Sequence, residues 1–308
     1  MEIRNISPKD YSRLALIFNT IYPYYTYTEE DIRYEYEEEG KMLNLKAFVA
    51  EINSEVVAIA EYYKSQYKSF KNGDLFEIGI YVDPRYQRRG IGNNLYDFIL
   101  KEIEKENVDG LITYVLGSHI DSINFLIKRG FFEIYRYYEL ELDVERINLD
   151  KMYIKDLDVE IVSLKEEKDL DKFNLYELIK SISKDMPSPL PLEFPSFERW
   201  KIRFFKNPYA IYDSYFIAKK NGKYVGFSSL YKENEEVVNQ GLTGVIKEYR
   251  NKGVAKALKL KVMEYAKRKG FKKIRTWNGC SNFRILTLNR NLGFEFKRDW
   301  IMFYKDLK

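Results

Sequence analysis

Two stretches of the chain carry residues spaced to hold an anion. The first runs Tyr81-Val82-Asp83-Pro84-Arg85-Tyr86-Gln87-Arg88-Arg89-Gly90-Ile91-Gly92. The second runs Gly244-Val245-Ile246-Lys247-Glu248-Tyr249-Arg250-Asn251-Lys252-Gly253-Val254-Ala255. Each closes a β-like run with Val and enters an amphipathic stretch through a turn of the form Gln/Arg-x-x-Gly-x-Gly/Ala. A helix that starts there leaves its first N–H groups unpartnered and presents the positive end of its dipole. Glycine lets a ligand approach the main chain with no Cβ in the way. Strand, turn and helix together make a cradle for phosphate, and Arg88, Arg89 and Lys252 add formal charge beside it. The Gly-Lys-Ser/Thr ending of a Walker loop is absent, and the three-glycine dinucleotide fingerprint is not met. Taken singly, either turn also fits an ordinary helix start.

The flanking periodicities define the elements that must position these turns. Phe76, Ile78, Ile80 and Val82 alternate with Glu77, Gly79 and Tyr81, which predicts a strand over 75–82. Ile91, Leu95, Phe98, Ile99 and Ile103 form the stripe of a helix over 91–105. A strand over 111–116, a helix over 121–129 and a strand over 132–142 follow. Upstream, the pattern predicts a strand over 2–6 and a helix over 8–20 with Ser7 as cap. An acidic helix over 28–39 capped by Thr28 comes next, then a hairpin, 47–52 with 56–62, across Asn53-Ser54. The second half follows suit, with a helix over 254–269 and a strand over 273–277.

The halves are related by a fixed offset. Val82 and Val245, Gly90 and Gly253, and the pairs Gly130-Phe131 and Gly293-Phe294 are all 163 residues apart. Upstream the offset is 168, matching Ala50 with Ala218 and Val57 with Val225, so the loop before the second motif strand is five residues shorter. A repeat this long is a domain rather than a solenoid unit. A length of 308 residues also suits two domains. The limits read from the pattern are 1–148 and 149–308, joined by a polar stretch near 143–158.

These motifs resemble the GNAT N-acetyltransferase superfamily, and their order covers nearly the whole chain: Val-ended strand, Gln/Arg-x-x-Gly-x-Gly/Ala, amphipathic helix, strand, short helix, Gly-Phe, strand. The run Thr276-Trp277-Asn278, Asn282 and Asn289-Arg290-Asn291-Leu292-Gly293-Phe294 is similar to the tandem group of that superfamily that includes mycothiol synthase. The resemblance implies an α/β fold, two tandem GNAT acyl-CoA N-acyltransferase domains, each a mixed sheet splayed after the motif strand. Acetyl-coenzyme A would enter the gap. Its pyrophosphate would lie on Arg88, Arg89, Gly90, Ile91 and Gly92 after Gln87, or on Asn251, Lys252, Gly253, Val254 and Ala255 after Arg250, with Asn282 nearby. Its pantetheine arm would pair with Tyr81-Val82 or Gly244-Val245 as an added strand.

Acyl transfer to an amine needs a neutral amine, a donor for the oxyanion and a proton or hydrogen bond for the leaving thiolate. Glu77 lies on the motif strand opposite its apolar side chains, where relatives in the superfamily place a base; it also suits a solvated or lysine-paired glutamate. Its counterpart by simple offset is Gln240. The tyrosine that many members place four residues before the Gly-Phe glycine is replaced by Leu126 and by Asn289, and Asn289 can offer the sulfur only a hydrogen bond. The second half, which carries Asn289 and the tandem-group pattern, is the expected site of transfer. An acceptor wall is expected from 21–39, where aromatics alternate with carboxylates, and in the second half from the loop 185–195, which holds four of the chain's eight prolines.

Composition narrows the class. Hydrophobic residues make up 45% and charged residues 32%, a globular balance. No run approaches the roughly 18 apolar residues of a membrane-spanning helix. Cys280 is the only cysteine and His119 the only histidine, which argues against a disulfide and against a His/Cys metal site, so no metal is expected. The first eight residues lack the apolar core of a signal peptide, and a cytoplasmic protein is expected. Residues 1–150 carry 18 Lys and Arg against 27 Asp and Glu, whereas the whole chain has a net charge of +4. The acidic half suits a cationic acceptor and the basic half an anionic ligand. The basic residues are dispersed, so no nucleic-acid partner is expected. The sequence thus points to an N-acetyltransferase acting from acetyl-coenzyme A on a primary amine of a small molecule. Protein or peptide acetylation and non-catalytic acyl-coenzyme A binding are the alternatives. The oligomeric state is not legible.

Overall fold

A computed structural model describes residues 1–152 and 157–308. The first repeat runs β1 (Glu2–Asn5), α1 (Tyr11–Ile21), α2 (Glu29–Arg33), α3 (Gly40–Leu43), β2 (Lys46–Ile52), β3 (Glu55–Lys68), β4 (Asp74–Val82), α4 (Ile91–Ile103), β5 (Gly110–Leu116), α5 (Ile120–Ile127) and β6 (Phe132–Asp143). The second runs β7 (Glu160–Ser163), α6 (Lys172–Lys184), α7 (Phe197–Phe205), β8 (Phe216–Lys220), β9 (Lys223–Lys232), β10 (Val237–Val245), α8 (Val254–Arg268), β11 (Lys273–Gly279), α9 (Phe283–Asn291) and β12 (Glu295–Asp306). The predicted connector near 143–158 lies partly outside the described residues.

Two compact units form, and their limits are not a single cut in the sequence. Unit 1 comprises Met1–Tyr135, Pro189–Glu193 and Ile301–Lys308; unit 2 comprises Arg136–Ser188 and Phe194–Trp300. The closing strands are therefore exchanged. Unit 1 has the strand order β1-β2-β3-β4-β5-β12, and unit 2 the order β6-β11-β10-β9-β8-β7. Burial explains the exchange: Ile301 and Phe303 complete the core under α4, and Leu140 and Leu142 complete the core under α8. The cut at 148/149 separates the repeats in sequence but does not separate these units.

In unit 1 strands β1 to β4 pair antiparallel, and β4 pairs with β5 in parallel. One face buries Phe76 and Ile78 against Ile91, Leu95, Ile99 and Ile103 of α4. The other packs Val49, Ile59 and Tyr81 against Leu14, Ile17 and Phe18 of α1 and Ile32 of α2. The alternation read from the sequence is thus the alternation of the two faces. The acidic helix predicted over 28–39 is interrupted. Thr28 caps α2 in a capping box with Asp31, and the chain then widens into a π-helical turn, Tyr34–Glu39, before α3. Such turns shift side-chain phase by one residue, and here Tyr36 is the residue carried inward.

Unit 2 repeats the plan with one change. The β9–β10 register shifts between Gln240 and Thr243, so β10 has one residue more than β4 at that point. Before this bulge Val238 faces α8, and after it Val245 does. A single inserted residue inverts strand parity. The register counterpart of Glu77 is therefore Asn239, not the Gln240 that a constant offset selects.

Candidate active site

The parallel pairing of β4 with β5 stops early, running only from Leu75↔Gly110 to Glu77↔Ile112. Beyond Glu77 the strands diverge. A cavity of about 940 Å³ opens there, lined by Ile78–Val82 of β4, Thr113–Val115 of β5, Gln87, Arg88 and Gly90–Asn93 of the turn, and Tyr22, Tyr96, His119, Asn124 and Phe125. That volume is typical of small-molecule sites. Unit 2 repeats the divergence: β10 and β11 pair only from Val237↔Lys273 to Asn239↔Arg275.

The two cradles share their backbone geometry. Gly90 sits at φ 82° and Gly253 at φ 80° as the residues preceding α4 and α8. Arg88 and Asn251 also take left-handed backbone, at φ 63° and 60°. A Cβ built on Gly90 would meet no protein atom within 4 Å, so the space over it is open. Two expected contact residues also hold the turn to the strand: Gln87 Nε2 donates to the Val82 carbonyl at 3.0 Å, and Arg250 Nε to the Val245 carbonyl at 2.8 Å. Arg250 is also clamped by Asp185, at the start of the proline-rich loop, which pairs with Lys247 as well. Residues 189–193 of that loop belong to unit 1 and extend along β3, with Lys68 N donating to Pro191 O and Glu193 N to Gln66 O, both at 2.9 Å.

Arg88 is exposed, 3.4 Å from Asp121. Arg89 stacks on Tyr86 and Lys252 on Tyr249. Ile91 and Val254 anchor their helices in the cores, Gly92 lies against Phe125 at a projected 3.5 Å, and Ala255 is half-buried. Gly244 leaves room for Ile182 of α6 on its face, where a Cβ would overlap at 2.0 Å.

Glu77 is half-buried on the face opposite α4, directly across from Tyr63 of β3. Burial pushes its carboxyl up to about 7, with Tyr63 donating a hydrogen bond that opposes the rise and Glu61 adding to it. Glu61, buried two residues along β3, accepts from Tyr36 at 2.5 Å and also from Tyr81. Glu35 is raised by burial and then by Glu61, yet its side chain keeps exposed surface. A Cβ at Gly79 would come within 2.9 Å of Glu61 Oε1 and 2.7 Å of the Tyr81 ring. His119 stacks on Tyr22 at 5.6 Å with 14° between the rings, and burial lowers its pKa.

The second repeat has a different chemistry at each of these places. Asn239 replaces the carboxylate. Gln240 faces α8 and accepts from Lys259, which is fully buried over the Phe294 ring and pulled down to about 7 by that burial. Asn289, expected to meet the thioester sulfur, has no exposed surface; its amide donates to Asn278 Oδ1 at 2.6 Å. Asn282 precedes α9 at the position His119 holds before α5. Glu35 falls within the acceptor wall expected over 21–39, whereas Glu61 and Tyr63 escape the sequence reading because their approach depends on strand register. Alternation along β3, which puts Glu61 and Tyr63 on one face, was the available signal.

The family profile described as "Acetyltransferase (GNAT) family" matches residues 12–131 and 175–294, again 163 residues apart. The chain belongs to the GNAT acetyltransferase family. Among solved structures, a GCN5-related N-acetyltransferase from Sphaerobacter thermophilus matches with a TM-score of 0.77 at 17% identity, covering 100% of this chain and 96% of that one. A tandem GNAT protein from the clavulanic acid biosynthesis pathway matches equally, with a TM-score of 0.77 at 17% identity over 99% and 98% of the two chains. These show the fold, two GNAT domains in tandem. An uncharacterized N-acetyltransferase of Methanocaldococcus jannaschii is 31% identical over 102 residues, which is 30% of this chain and 45% of that protein, so the match spans less than half of the curated relative. GNAT folds bind acetyl-coenzyme A, and the open first cradle running into the cavity fits that ligand. Among the described residues no group of three or more His, Cys, Asp or Glu is placed to hold a metal, and no helix is long and apolar enough to cross a membrane.

Proposed function

We propose that the chain transfers an acetyl group from acetyl-coenzyme A to a primary amine of a small molecule, and that the transfer takes place in the first repeat. The observation that carries this reading is Glu77: a carboxyl held near neutrality where β4 leaves β5, on the face lined by Tyr63, Glu61 and Glu35. An amine reaches the site as a cation, which the acidic wall attracts, and must lose a proton to attack. Glu77 takes that proton. The thioester then lies in the cavity with its pyrophosphate on the amides of residues 88–92 and its pantetheine arm along Tyr81-Val82. Asn239 offers no base at the position of Glu77, and Asn289 is buried on Asn278, which moves the proposed reaction away from the half that sequence patterns favour. Its cradle, from Arg250 to Ala255 with Gly244, Val245 and Asn282, is proposed as a second coenzyme A site.

The test is coenzyme A thiol release over a panel of mono- and diamines, with wild type and Glu77→Gln. Release stimulated by an amine and lost in Glu77→Gln supports the reading. Tight acetyl-coenzyme A binding with no amine-dependent release overturns it.

A further inference from the structure

Expulsion of coenzyme A breaks a C–S bond and leaves a thiolate, and the place where the resemblance expects a tyrosine holds the buried Leu126. A different phenol belongs to the same core cluster as that leucine. Tyr96 of α4 lines the same cavity and is 4% exposed. Its ring is fixed edge-on against Phe125 and Phe131, with centroids 6.0 and 6.3 Å away. Lys305 Nζ donates to the Tyr96 hydroxyl oxygen at 2.9 Å. Because that oxygen already accepts from an ammonium, its own hydrogen is turned away from Lys305, and no acceptor for it is found among the described residues. A buried O–H without a partner is costly unless something else supplies the acceptor. Lys305 belongs to the exchanged segment Ile301–Lys308, so the end of the second repeat completes the site of the first.

We infer that Tyr96 is the proton donor to the departing coenzyme A thiolate and that Lys305 is its positioning residue. This rests on the first-repeat reading above. As the tetrahedral carbon collapses, the C–S electron pair moves to sulfur and the Tyr96 Oη proton follows it, giving the free thiol. The phenolate left behind is stabilised by Lys305 at its oxygen and by Arg129, whose guanidinium lies 5.1 Å from the ring centre. The amine nitrogen loses two protons, one to Glu77 before attack and one to solvent as the tetrahedral carbon collapses; the equivalent of one reprotonates the phenolate and the other is released, so the cycle balances.

The experiment compares wild type, Tyr96→Phe, Lys305→Met and Lys305→Arg. Two readouts are used: turnover with the best amine, and binding of coenzyme A against desulfo-coenzyme A. Tyr96→Phe removes only the hydroxyl. It is expected to lower kcat about 10–100-fold, and to weaken coenzyme A several-fold while leaving desulfo-coenzyme A unchanged. Lys305→Met should lower kcat with little change in KM, and Lys305→Arg should restore most of it. Unchanged turnover in Tyr96→Phe, or an equal loss of both ligands, overturns the inference. Absence of amine-dependent turnover in wild type counts against the proposed function instead, and the sulfur-dependent difference in binding then decides the role of Tyr96 alone.

Discussion

Tyr63 and Glu77 face each other across β3 and β4, and the phenol donates to a carboxylate that burial holds near neutrality. A base with a raised pKa is active only when deprotonated. kcat/KM for an amine should therefore fall as pH drops below about 7. Glu77→Gln should remove that limb and lower kcat by about 10²–10⁴. Tyr63→Phe takes away a hydrogen bond that favours the charged form, so the limb should move to higher pH with the maximum rate retained. Steady-state rates across about pH 5.5–9 check wild type and both variants, and a limb that stays in place in Tyr63→Phe contradicts the assignment.

The two cradles are separable by one substitution each. Valine at Gly90 or Gly253 carries a cost of roughly 1–2 kcal/mol for left-handed backbone, and relief of that strain rotates the amides that face the cleft. Gly90→Val is expected to weaken acetyl-coenzyme A by about tenfold or more and to abolish turnover. Gly253→Val is expected to remove a second binding event and leave turnover in place. Calorimetric stoichiometry and turnover read both; turnover that survives in Gly90→Val and is lost in Gly253→Val would reverse the roles of the repeats.

Lys259 makes a claim on stability. Its folded pKa lies near 7, below the ordinary lysine value, so the unfolded chain binds the extra proton at intermediate pH. Stability should consequently rise as pH increases from about 7 towards 10. Lys259→Met keeps the volume and removes the buried amine. It should raise the melting temperature by several degrees at pH 7 and flatten the pH dependence above it. Thermal melts at half-unit pH steps would expose an error here, since an unaltered slope means the amine is not buried as described.

Arg275 is 4% exposed and meets Glu139, Glu141 and Glu233, of which Glu139 is fully buried. Arg298 pairs with the same Glu139. Removing one cation from such a group leaves carboxylates uncompensated in a low-dielectric interior. Arg275→Met should therefore cost about 3–5 kcal/mol, measured by urea denaturation. A loss below about 1 kcal/mol would place these carboxylates in solvent.

Local patterns carried the repeat, the cradles and most element limits, because each depends on neighbours in sequence. The helix stripe from Ile91 to Ile103 and the alternation of Phe76 to Val82 are of this kind. What escaped depends on pairing. The bulge between Gln240 and Thr243 leaves no mark in composition, yet it decides that Asn239 rather than Gln240 stands where Glu77 does. The meeting of Glu35, Glu61 and Glu77 needs three elements whose contact order only the fold reveals. Strand exchange was equally hidden, since β6 and β12 read alike as closing strands whichever unit receives them.

That exchange bears on how the protein is made. Unit 1 holds Ile301 and Phe303 in its core, so the ribosome releases most of this unit long before the residues that seal it have been translated. Nascent chains stalled anywhere before residue 301 would present an unfilled groove beside β5, and it is there that holdase chaperones or a neighbouring nascent chain would find purchase.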